Sequence, residues 1–363
     1  MSTKSNENGV FMKWLLLSAL TFILPAYSIP TGIDLGAEKM SQNEEKEEDL
    51  FKKNDQIYAG HLEFLYWTVT EGNLDYALKM RGPAWSETTP SYAQGKFESA
   101  SYGMAPGFRL GLHYFRATRY WELRWNYTRL TCTGKDEAFR PEPSNEYLTG
   151  TWPQVFTNPM THAQSKLHFN YNVFDMLVDR VFIPNPHLRL RIIAGGTAAW
   201  MDQDWNVKYF DGNGNSTKIS NRWNYAGGGI KSGTMVDWFW TRDIYITGST
   251  MFGALLGNYS NHAKQLTNYG PNVGDNTAVP IRNTSYHDVR PTFTTQMIIG
   301  PSWQKNLPKN RIELFAGFEM NLWINLQEVY RSTSSTAMGA KETWINSSTL
   351  ALYGLTTRLT VDF

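Results

Sequence analysis

The last part of the chain, STLALYGLTTRLTVDF at residues 348–363, alternates apolar and polar side chains. Successive side chains of a β-strand point to opposite faces, so a period of two predicts a strand with one apolar wall and one polar wall. A helix of this sequence would mix the two sets. The apolar wall consists of Phe363, Val361, Leu359, Thr357, Leu355, Tyr353 and Ala351, and the polar wall of Asp362, Thr360, Arg358, Thr356 and Gly354.

The final residue of this stretch is an aromatic residue on its apolar wall. Termini of soluble domains usually fray in water, which disfavours an apolar end. A final Phe or Trp preceded by apolar residues at every second position is typical of the closing strand of bacterial outer-membrane barrels, which the assembly machinery recognises. The alternative is the C-terminal strand of a soluble sandwich. The predicted barrel-assembly signal comprises Phe363, Val361, Leu359, Leu355 and Tyr353.

The composition is consistent with a transmembrane barrel. The mean hydropathy is −0.43, yet 14% of the residues are aromatic. A barrel needs polar residues facing its lumen and aromatic residues at both lipid–water boundaries. Outside the first 28 residues, no apolar run approaches the ~20 residues that a spanning helix requires. The net charge of +1 gives no indication of nucleic-acid binding, and the single Cys132 excludes an intramolecular disulfide.

The N-terminal region predicts a cleaved signal peptide at residues 1–28. Lys13 supplies positive charge, Trp14 to Leu24 are mainly apolar, and Ala26-Tyr27-Ser28 provides small residues at the cleavage site. A membrane-anchoring helix is the alternative, but the apolar segment is too short to span. Residues 29–55 are polar and predict a periplasmic extension. The barrel is expected to occupy residues 56–363.

From residue 56 onward, alternating segments recur, and ten of them are long enough to cross a membrane. The connections between them are alternately short and long, as in barrels with short periplasmic turns and long extracellular loops. Leu74–Leu78 could add a hairpin and raise the strand number to twelve. The predicted strands cover Tyr58–Trp67, Phe97–Tyr114, Tyr120–Thr131, Ala163–Val178, Leu188–Trp205, Asn221–Trp238, Ile244–Tyr259, Tyr286–Trp303, Arg311–Ile324 and the terminal stretch.

An open sheet edge in lipid would leave backbone N–H and C=O groups unpaired, at several kcal/mol each. The sequence therefore predicts an all-β fold, a transmembrane antiparallel up-and-down β-barrel of about ten strands. The long connections predicted for its extracellular rim are Thr70–Lys96, Cys132–His162, Asn206–Ser220, Ser260–Ser285 and Gln327–Ser347.

Charged residues on the polar faces are expected to point into the lumen. There they could select the ions that pass, or pair with each other and fill the lumen. The slight excess of arginine predicts a weak anion preference. The predicted pore-lining residues are Arg109, Arg124, Arg189, Arg191, Arg290, Arg358, Glu122, Glu313 and Glu319, with Glu63 and Asp362 on the same faces.

No catalytic signature is present in the sequence. His287 and Asp288 are adjacent, so on a strand they face opposite ways, and no Ser–His pair or metal-ligand spacing is recognisable. The run Gly227-Gly228-Gly229 lacks the lysine and the strand-to-helix context of a phosphate-binding loop. We therefore expect neither enzymatic activity nor a metal or cofactor.

Several stretches resemble, in order, the major outer-membrane proteins of the Legionella and chlamydial types. This resemblance implies a porin-like protein of the bacterial outer membrane, inserted by the barrel-assembly machinery and surrounded by outer-membrane lipid. It also implies attachment to host surfaces for some members, and some porins of this kind are oligomers. The stretches are HLEFLYW at 61–67, GNLDYA at 72–77, APGFRLGL at 105–112, WELRWNY at 121–127, LHFNYN at 167–172 and AAWMDQ at 198–203.

Two functions follow from these observations, and a third is the least favoured. The first is passive diffusion of small hydrophilic solutes through a charged lumen. The second is a structural or adhesive barrel with a filled lumen, whose long loops bind a host surface. Barrels of ~8 strands are filled by side chains and those of ~16 strands are open, so ten strands leave both alternatives. The third is an outer-membrane hydrolase.

Overall fold

A computed structural model describes residues 56–81, 95–116, 120–141, 146–152, 159–268, 279–307, 310–332 and 343–362. The predicted signal peptide, the N-terminal extension and Phe363 lie outside these residues. Within them no helix is long and apolar enough to cross a membrane. The strands are β1 Gln56–Glu71, β2 Asp75–Arg81, β3 Gly95–Ser99, β4 Ala105–Arg116, β5 Trp121–Phe139, β6 Glu146–Gly150, β7 Met160–Asn185, β8 Leu188–Asp211, β9 Ser216–Phe239, β10 Ile244–Asn268, β11 Val279–Asn306, β12 Arg311–Ser332 and β13 Thr343–Asp362.

Ten of these strands close into one antiparallel barrel, which confirms the predicted fold. The order around the barrel is β1-β13-β12-β11-β10-β9-β8-β7-β5-β4, and β4 returns to β1. The closure is visible at Glu63, which is paired with Arg358 of β13 on one side and with Arg109 of β4 on the other. A soluble sandwich is therefore excluded, because β1 and β13 leave no edge between them.

The remaining strands form a small sheet of their own in the order β3-β2-β6. A hairpin does follow Leu74, as the sequence suggested, but its strands are not part of the barrel, so the alternative of twelve barrel strands is wrong. The predicted strand Phe97–Tyr114 is in fact divided at residues 100–104. The connection Cys132–His162 was predicted to be a loop, but β5 continues to Phe139 and β6 lies within it.

The barrel strands are longer than predicted. Strands β7 to β12 contain 22 to 28 residues, whereas about 9–11 suffice to cross the hydrocarbon layer. β8 and β9 are joined by a tight turn at residues 212–215, so the predicted long loop Asn206–Ser220 is wrong. The extra length projects from the barrel end opposite the short turns. The sequence predicts that this end is the extracellular one, and the two ends are named accordingly.

The alternation of polar and apolar residues reverses along the strands, and β7 shows where. Near its periplasmic end, Phe174 and Met176 are exposed on the outer wall while Asp175 is buried inside. Further toward the extracellular end, Phe169 is buried inside while Asn170 faces outward. The outer wall is thus apolar only over a band, which must match the hydrocarbon layer. On β1 the band runs from Tyr58 to Tyr66, so the last residues of that strand lie above the membrane.

The apolar wall predicted for the terminal stretch faces out within this band. Tyr353, Leu355 and Leu359 are exposed, whereas Thr356 and Thr360 are buried inside. The wall changes character toward the extracellular end, because Leu350 and Leu352 point into the barrel and are fully buried. The interior is therefore mainly polar at the level of the membrane, where it also holds a small apolar cluster, and mainly apolar above it. The cluster consists of Leu177, Ile193, Met235 and Met251.

Candidate functional site

The centre of the membrane-spanning interior is a cluster built on Arg109. Its Nη2 lies 2.7 Å from Glu319 Oε1, its Nη1 contacts Glu63, and its Nε donates to Thr128 Oγ1 at 2.8 Å. Glu319 accepts further hydrogen bonds from Gln296 at 2.6 Å, Thr356 at 2.9 Å and Asn321 at 3.1 Å. A buried carboxylate needs this number of donors because it is removed from water.

A second cluster lies nearer the periplasm and is centred on Glu122. Its Oε2 is 2.7 Å from Arg191 Nη1, and its Oε1 is 2.6 Å from His113 Nδ1. The other nitrogen of His113 is 2.6 Å from His61 Nδ1, and the two imidazoles meet edge to face. Arg124 contacts both Glu122 and Asp179, while Arg191 reaches the same aspartate at 3.7 Å.

Smaller ion pairs complete this charged belt around the inner wall. Arg189 Nε donates to Asp237 at 2.7 Å, and Thr247 donates to the same carboxylate at 2.8 Å. The other pairs are Lys231 with Asp175 at 2.9 Å, Arg311 with Asp362 at 2.6 Å, and Arg358 with Glu63 and Glu313 at 3.6 and 3.8 Å.

Arg290 is the one predicted pore-lining residue that belongs to the upper, aromatic part of the interior. Its guanidinium stacks 3.7 Å from the ring centre of Tyr259. It also pairs with Asp288 at 2.7 Å and with Glu328 at 2.9 Å. Burial raises the pKa of Glu328, which lies above the membrane, to about 6.

All nine predicted pore-lining residues point into the barrel, and every one of them is ion-paired. The sequence missed Asp175, Asp179, Asp237 and Lys231. A continued period of two would have placed Asp237 and Lys231 together on one face of the weaker segment Asn221–Trp238. Asp175 and Asp179 instead alternate in step with the apolar Phe169, so only the reversal along β7 explains their inward position. With these four residues included, the arginine excess disappears among the described residues of the belt. The cations are Arg109, Arg124, Arg189, Arg191, Lys231, Arg311 and Arg358; the acids are Glu63, Glu122, Asp175, Asp179, Asp237, Glu313, Glu319 and Asp362.

A cavity of about 50 Å³ opens into the belt at its periplasmic end. It is lined by His113, Glu122, Arg189, Arg311 and Asp362, among others. At roughly 10–15 Å³ for each water position, it has room for a few water molecules and not for a sugar or an amino acid.

Above the belt, aromatic side chains fill the interior. Trp152, which follows β6, packs edge to face on Trp205 with ring centres 5.0 Å apart. The guanidinium of Arg331 lies 4.0 Å over Trp152 and donates to Thr151 Oγ1 at 2.8 Å. The small sheet is thus fixed to the barrel mouth by its own residues. The largest fully buried side chains are Trp67, Trp152, Trp205, Trp223, Trp323, Tyr76, Tyr209, Tyr225, Tyr245, Tyr259, Phe169 and Leu65.

One carboxylate is buried within this aromatic core. Glu71, above the membrane band on β1, accepts hydrogen bonds from Gln203 at 2.6 Å and from Tyr102 at 3.2 Å. Trp223 donates to the carbonyl oxygen of the same glutamine. Burial raises the pKa of Glu71 to about 7, although both hydrogen bonds favour its charged form. Burial also raises the pKa of Tyr102 well above its usual value.

Among the described residues, no group of His, Cys, Asp and Glu side chains is arranged to hold a metal ion. The histidine pair supplies two nitrogens, but they face each other across a hydrogen bond. The remaining nitrogen of His61 makes no hydrogen bond and lies 3.8 Å from Glu63 Oε1. Cys132 is a free thiol inside the aromatic core, fully buried. The described part of the interior is therefore occupied by ion-paired and aromatic side chains.

Comparison with known proteins identifies the family of this barrel. Residues 54–363 match the family model of the Legionella pneumophila major outer membrane protein precursor. The chain belongs to this family. It is accordingly a protein of the bacterial outer membrane, and the apolar band on its outer wall is the surface that contacts the membrane. No curated protein matches the chain.

Solved structures with a similar course of the chain are also outer-membrane proteins, at very low sequence identity. The outer membrane protease OmpT of Escherichia coli has 9% identity and a TM-score of 0.41, with 85% of this chain and 97% of that one covered. A Pseudomonas aeruginosa FadL homologue has 7% identity and a TM-score of 0.22, covering 85% and 90%. The Pseudomonas putida toluene transporter TodX has 7% identity and a TM-score of 0.23, covering 86% and 90%. At these values the likeness carries no information about activity.

Proposed function

We propose that this member of the Legionella major outer-membrane protein family is a closed surface barrel. Its membrane-spanning part anchors it, and its tall extracellular part presents the small sheet and the loops to surfaces outside the cell. The filled interior is the observation that carries this proposal. The proposed function includes no catalytic step.

The ion-paired belt supports a closed lumen because its parts are expensive to separate. Breaking a buried pair by removing one partner costs about 3–5 kcal/mol. Arg109, for example, contacts Glu63, Glu319 and Thr128 at once. A solute passing through the belt would have to disturb several such pairs together and then cross the aromatic core.

The height of the barrel supports the presentation of an external surface. A strand of 25 residues such as β10 extends on the order of 80 Å along its own axis, at about 3.3 Å for each residue. Even with the strand tilt of about 45°, roughly half of this length lies outside a hydrocarbon layer of about 30 Å. A passive pore requires no such projection.

Two measurements on the refolded protein test the proposal together. Proteoliposomes should not swell in isosmotic arabinose or sucrose, whereas liposomes that contain a general-diffusion porin should swell. Beads coated with the same proteoliposomes should bind host cells more strongly than protein-free beads, and proteolytic trimming of the extracellular end should abolish the difference. Swelling without cell binding would refute the proposal.

Passive diffusion of small hydrophilic solutes is the second candidate. The polar inner wall of the membrane-spanning part, with its water-sized cavity open toward the periplasm, favours it. This function requires that the small sheet leaves the barrel mouth and that the ion pairs of the belt rearrange. This second function would be supported if proteoliposomes with the intact protein did not swell but swelled after the extracellular sheet was removed.

A further inference from the structure

The outer wall of the barrel carries a depression of about 840 Å³ at the upper edge of the apolar band. It extends across four neighbouring strands, β8 to β11, with one residue of β7 at its margin. The wall turns from apolar to polar at this level, so the depression faces the headgroups of the outer leaflet. Its lining therefore decides which headgroups it can recognise.

The lower part of the depression is a row of residues that are direct neighbours in the sheet. Trp200 is paired with Ala226, Ala226 with Asn258, and Asn258 with Val289. Trp200 is 49% exposed and Val289 63% exposed, and the small side chain of Ala226 forms the floor between them. The indole ring is therefore available as an apolar wall beside a recess.

The upper part is a second row two residues further along each strand, and it is entirely polar. Asp202 is paired with Asn224, Asn224 with Ser260, and Ser260 with His287. The side chains of Asn224, Ser260 and His287 make no hydrogen bond to any other residue that the structure describes. The row extends over three strand spacings of about 4.8 Å, roughly 14 Å in all.

The charge of the lining distinguishes between kinds of headgroup. No lysine or arginine lines the depression, and Asp288 at its margin is already paired with Arg290 at 2.7 Å. Phosphate groups are recognised by cationic donors, which are missing here. Amides, a hydroxyl, an imidazole and the carboxylate of Asp202 are instead suited to sugar hydroxyls, which both donate and accept.

We propose that this depression binds the sugar headgroup of a glycolipid of the outer leaflet. The apolar C–H face of a sugar ring packs on the indole of Trp200, because both surfaces are apolar and the ring is wide. The ring hydroxyls bond to the row from Asp202 to His287. Directly below, Ala198 is paired with Gly228, and these small residues leave space for an acyl chain on the wall.

The test is a titration of the full-length refolded barrel in detergent with a glucosamine-based glycolipid, followed by native mass spectrometry. The barrel should bind one glycolipid in preference to phosphatidylglycerol. Trp200→Ala should weaken this binding about tenfold, the equivalent of about 1.4 kcal/mol. Asn224→Leu, which removes a hydrogen-bonding group from the upper row, should also weaken it. Tyr66→Ala is the matched control, because Tyr66 is an exposed aromatic residue at the same edge of the band on β1.

Several results would overturn the proposal. Equal loss of binding in Trp200→Ala and Tyr66→Ala would show general adsorption to the aromatic belt. If phosphatidylglycerol bound as tightly as the glycolipid, the sugar would not be what the depression recognises. If the free oligosaccharide bound as tightly as the glycolipid, the acyl chains would contribute nothing to binding. A dimer that Trp200→Ala dissociates, without any glycolipid binding, would assign the depression to a second copy of the chain.

Discussion

At the scale of single residues, the interior depends on charges that are buried and ion-paired. Arg109 is the clearest case, because it joins β1, β4, β5 and β12 through three partners. A buried ion pair adds little net stability relative to a well-packed apolar core. Removal of one partner is nevertheless costly, because it leaves the other charge buried and poorly solvated.

Arg109→Ala should therefore lower the free energy of unfolding by about 3–5 kcal/mol, because Glu63 and Glu319 lose their shared cation. Urea unfolding in detergent micelles, followed by tryptophan fluorescence, measures the change. Arg116→Ala at the exposed end of the same strand is the control, with an expected change within about 0.5 kcal/mol. Equal effects of the two substitutions would contradict the central role of Arg109.

Position 111 has room only for a glycine, because the imidazole of His61 lies directly against it. A Cβ at position 111 would overlap the ring, which is fixed by its 2.6 Å hydrogen bond to His113. Gly111→Ala should destabilise the barrel by about 1–3 kcal/mol. In a His61→Ala background the same substitution should cost much less, because the space is then vacant. A double-mutant cycle of urea midpoints measures this coupling, and additive effects would argue against the overlap.

Glu71 should make stability depend on pH. In the unfolded chain a glutamate ionises near pH 4.3, whereas the buried Glu71 has a pKa of about 7. Between these values the folded protein retains a proton that the unfolded chain has lost. The free energy of unfolding should therefore fall as the pH rises from about 4.5 to 7, by at most about 4 kcal/mol, and then level off.

The matched variant is Glu71→Gln, which keeps hydrogen-bonding groups but cannot ionise. Unfolding of both proteins at a series of pH values isolates the contribution of this residue, since all other groups are common to both. The free energy of unfolding of the wild type minus that of Glu71→Gln should fall between pH 4.5 and 7. A flat difference would show that Glu71 is ionised in the folded protein throughout.

At the scale of elements, the period of two predicted the strands but not their lengths. The alternation continues through β7 and β8 above the membrane, where the apolar residues turn inward and the polar ones outward. An alternating sequence shows that the two faces of a strand differ in polarity, but not which face contacts lipid, water or the barrel interior. The extracellular segments of strands therefore looked like loops, because no lipid-facing wall was present to mark them.

The sequence suggested a hairpin after Leu74, but it did not predict that β2 pairs with β3 and β6 in a separate sheet. β3 and β6 contain five residues each, and both pair with β2 over a long distance in the chain. Strands this short have no periodicity that distinguishes them from a loop. Their position in the barrel mouth is set by tertiary contacts, such as that of Trp152 with Trp205.

Arg331 should control how firmly this sheet is attached. It stacks on Trp152 and donates to Thr151 Oγ1 and to the backbone oxygen of Asn73 at 2.7 Å. Arg331→Ala should accelerate amide hydrogen exchange in β2 and β6 at least tenfold, with little change in β12 outside the site. Arg222→Ala, an exposed arginine on the outer wall, serves as the control. If amide exchange in β2 were unchanged, Arg331 would not be what holds the small sheet in place.

At the scale of the whole molecule, the sequence predicted the closed ten-stranded barrel and the nine charged residues that point into it. The state of the lumen could not be deduced in the same way. It depends on which charges meet across the barrel, as when Arg191 of β8 reaches Glu122 of β5, and strand patterns contain no information about such distances. The assembly role of Phe363 and the signal peptide at residues 1–28 stay predictions.

The proposed closed barrel requires that side chains of the belt and of the aromatic core fill the lumen. Planar lipid bilayers with the purified, refolded protein test it most directly, because a single open barrel is detectable as a current step. A filled lumen should give insertion, verified by protease protection of the membrane-spanning part, with no conductance steps in 1 M KCl at moderate voltage. Regular, long-lived steps from the untreated wild-type protein would contradict it.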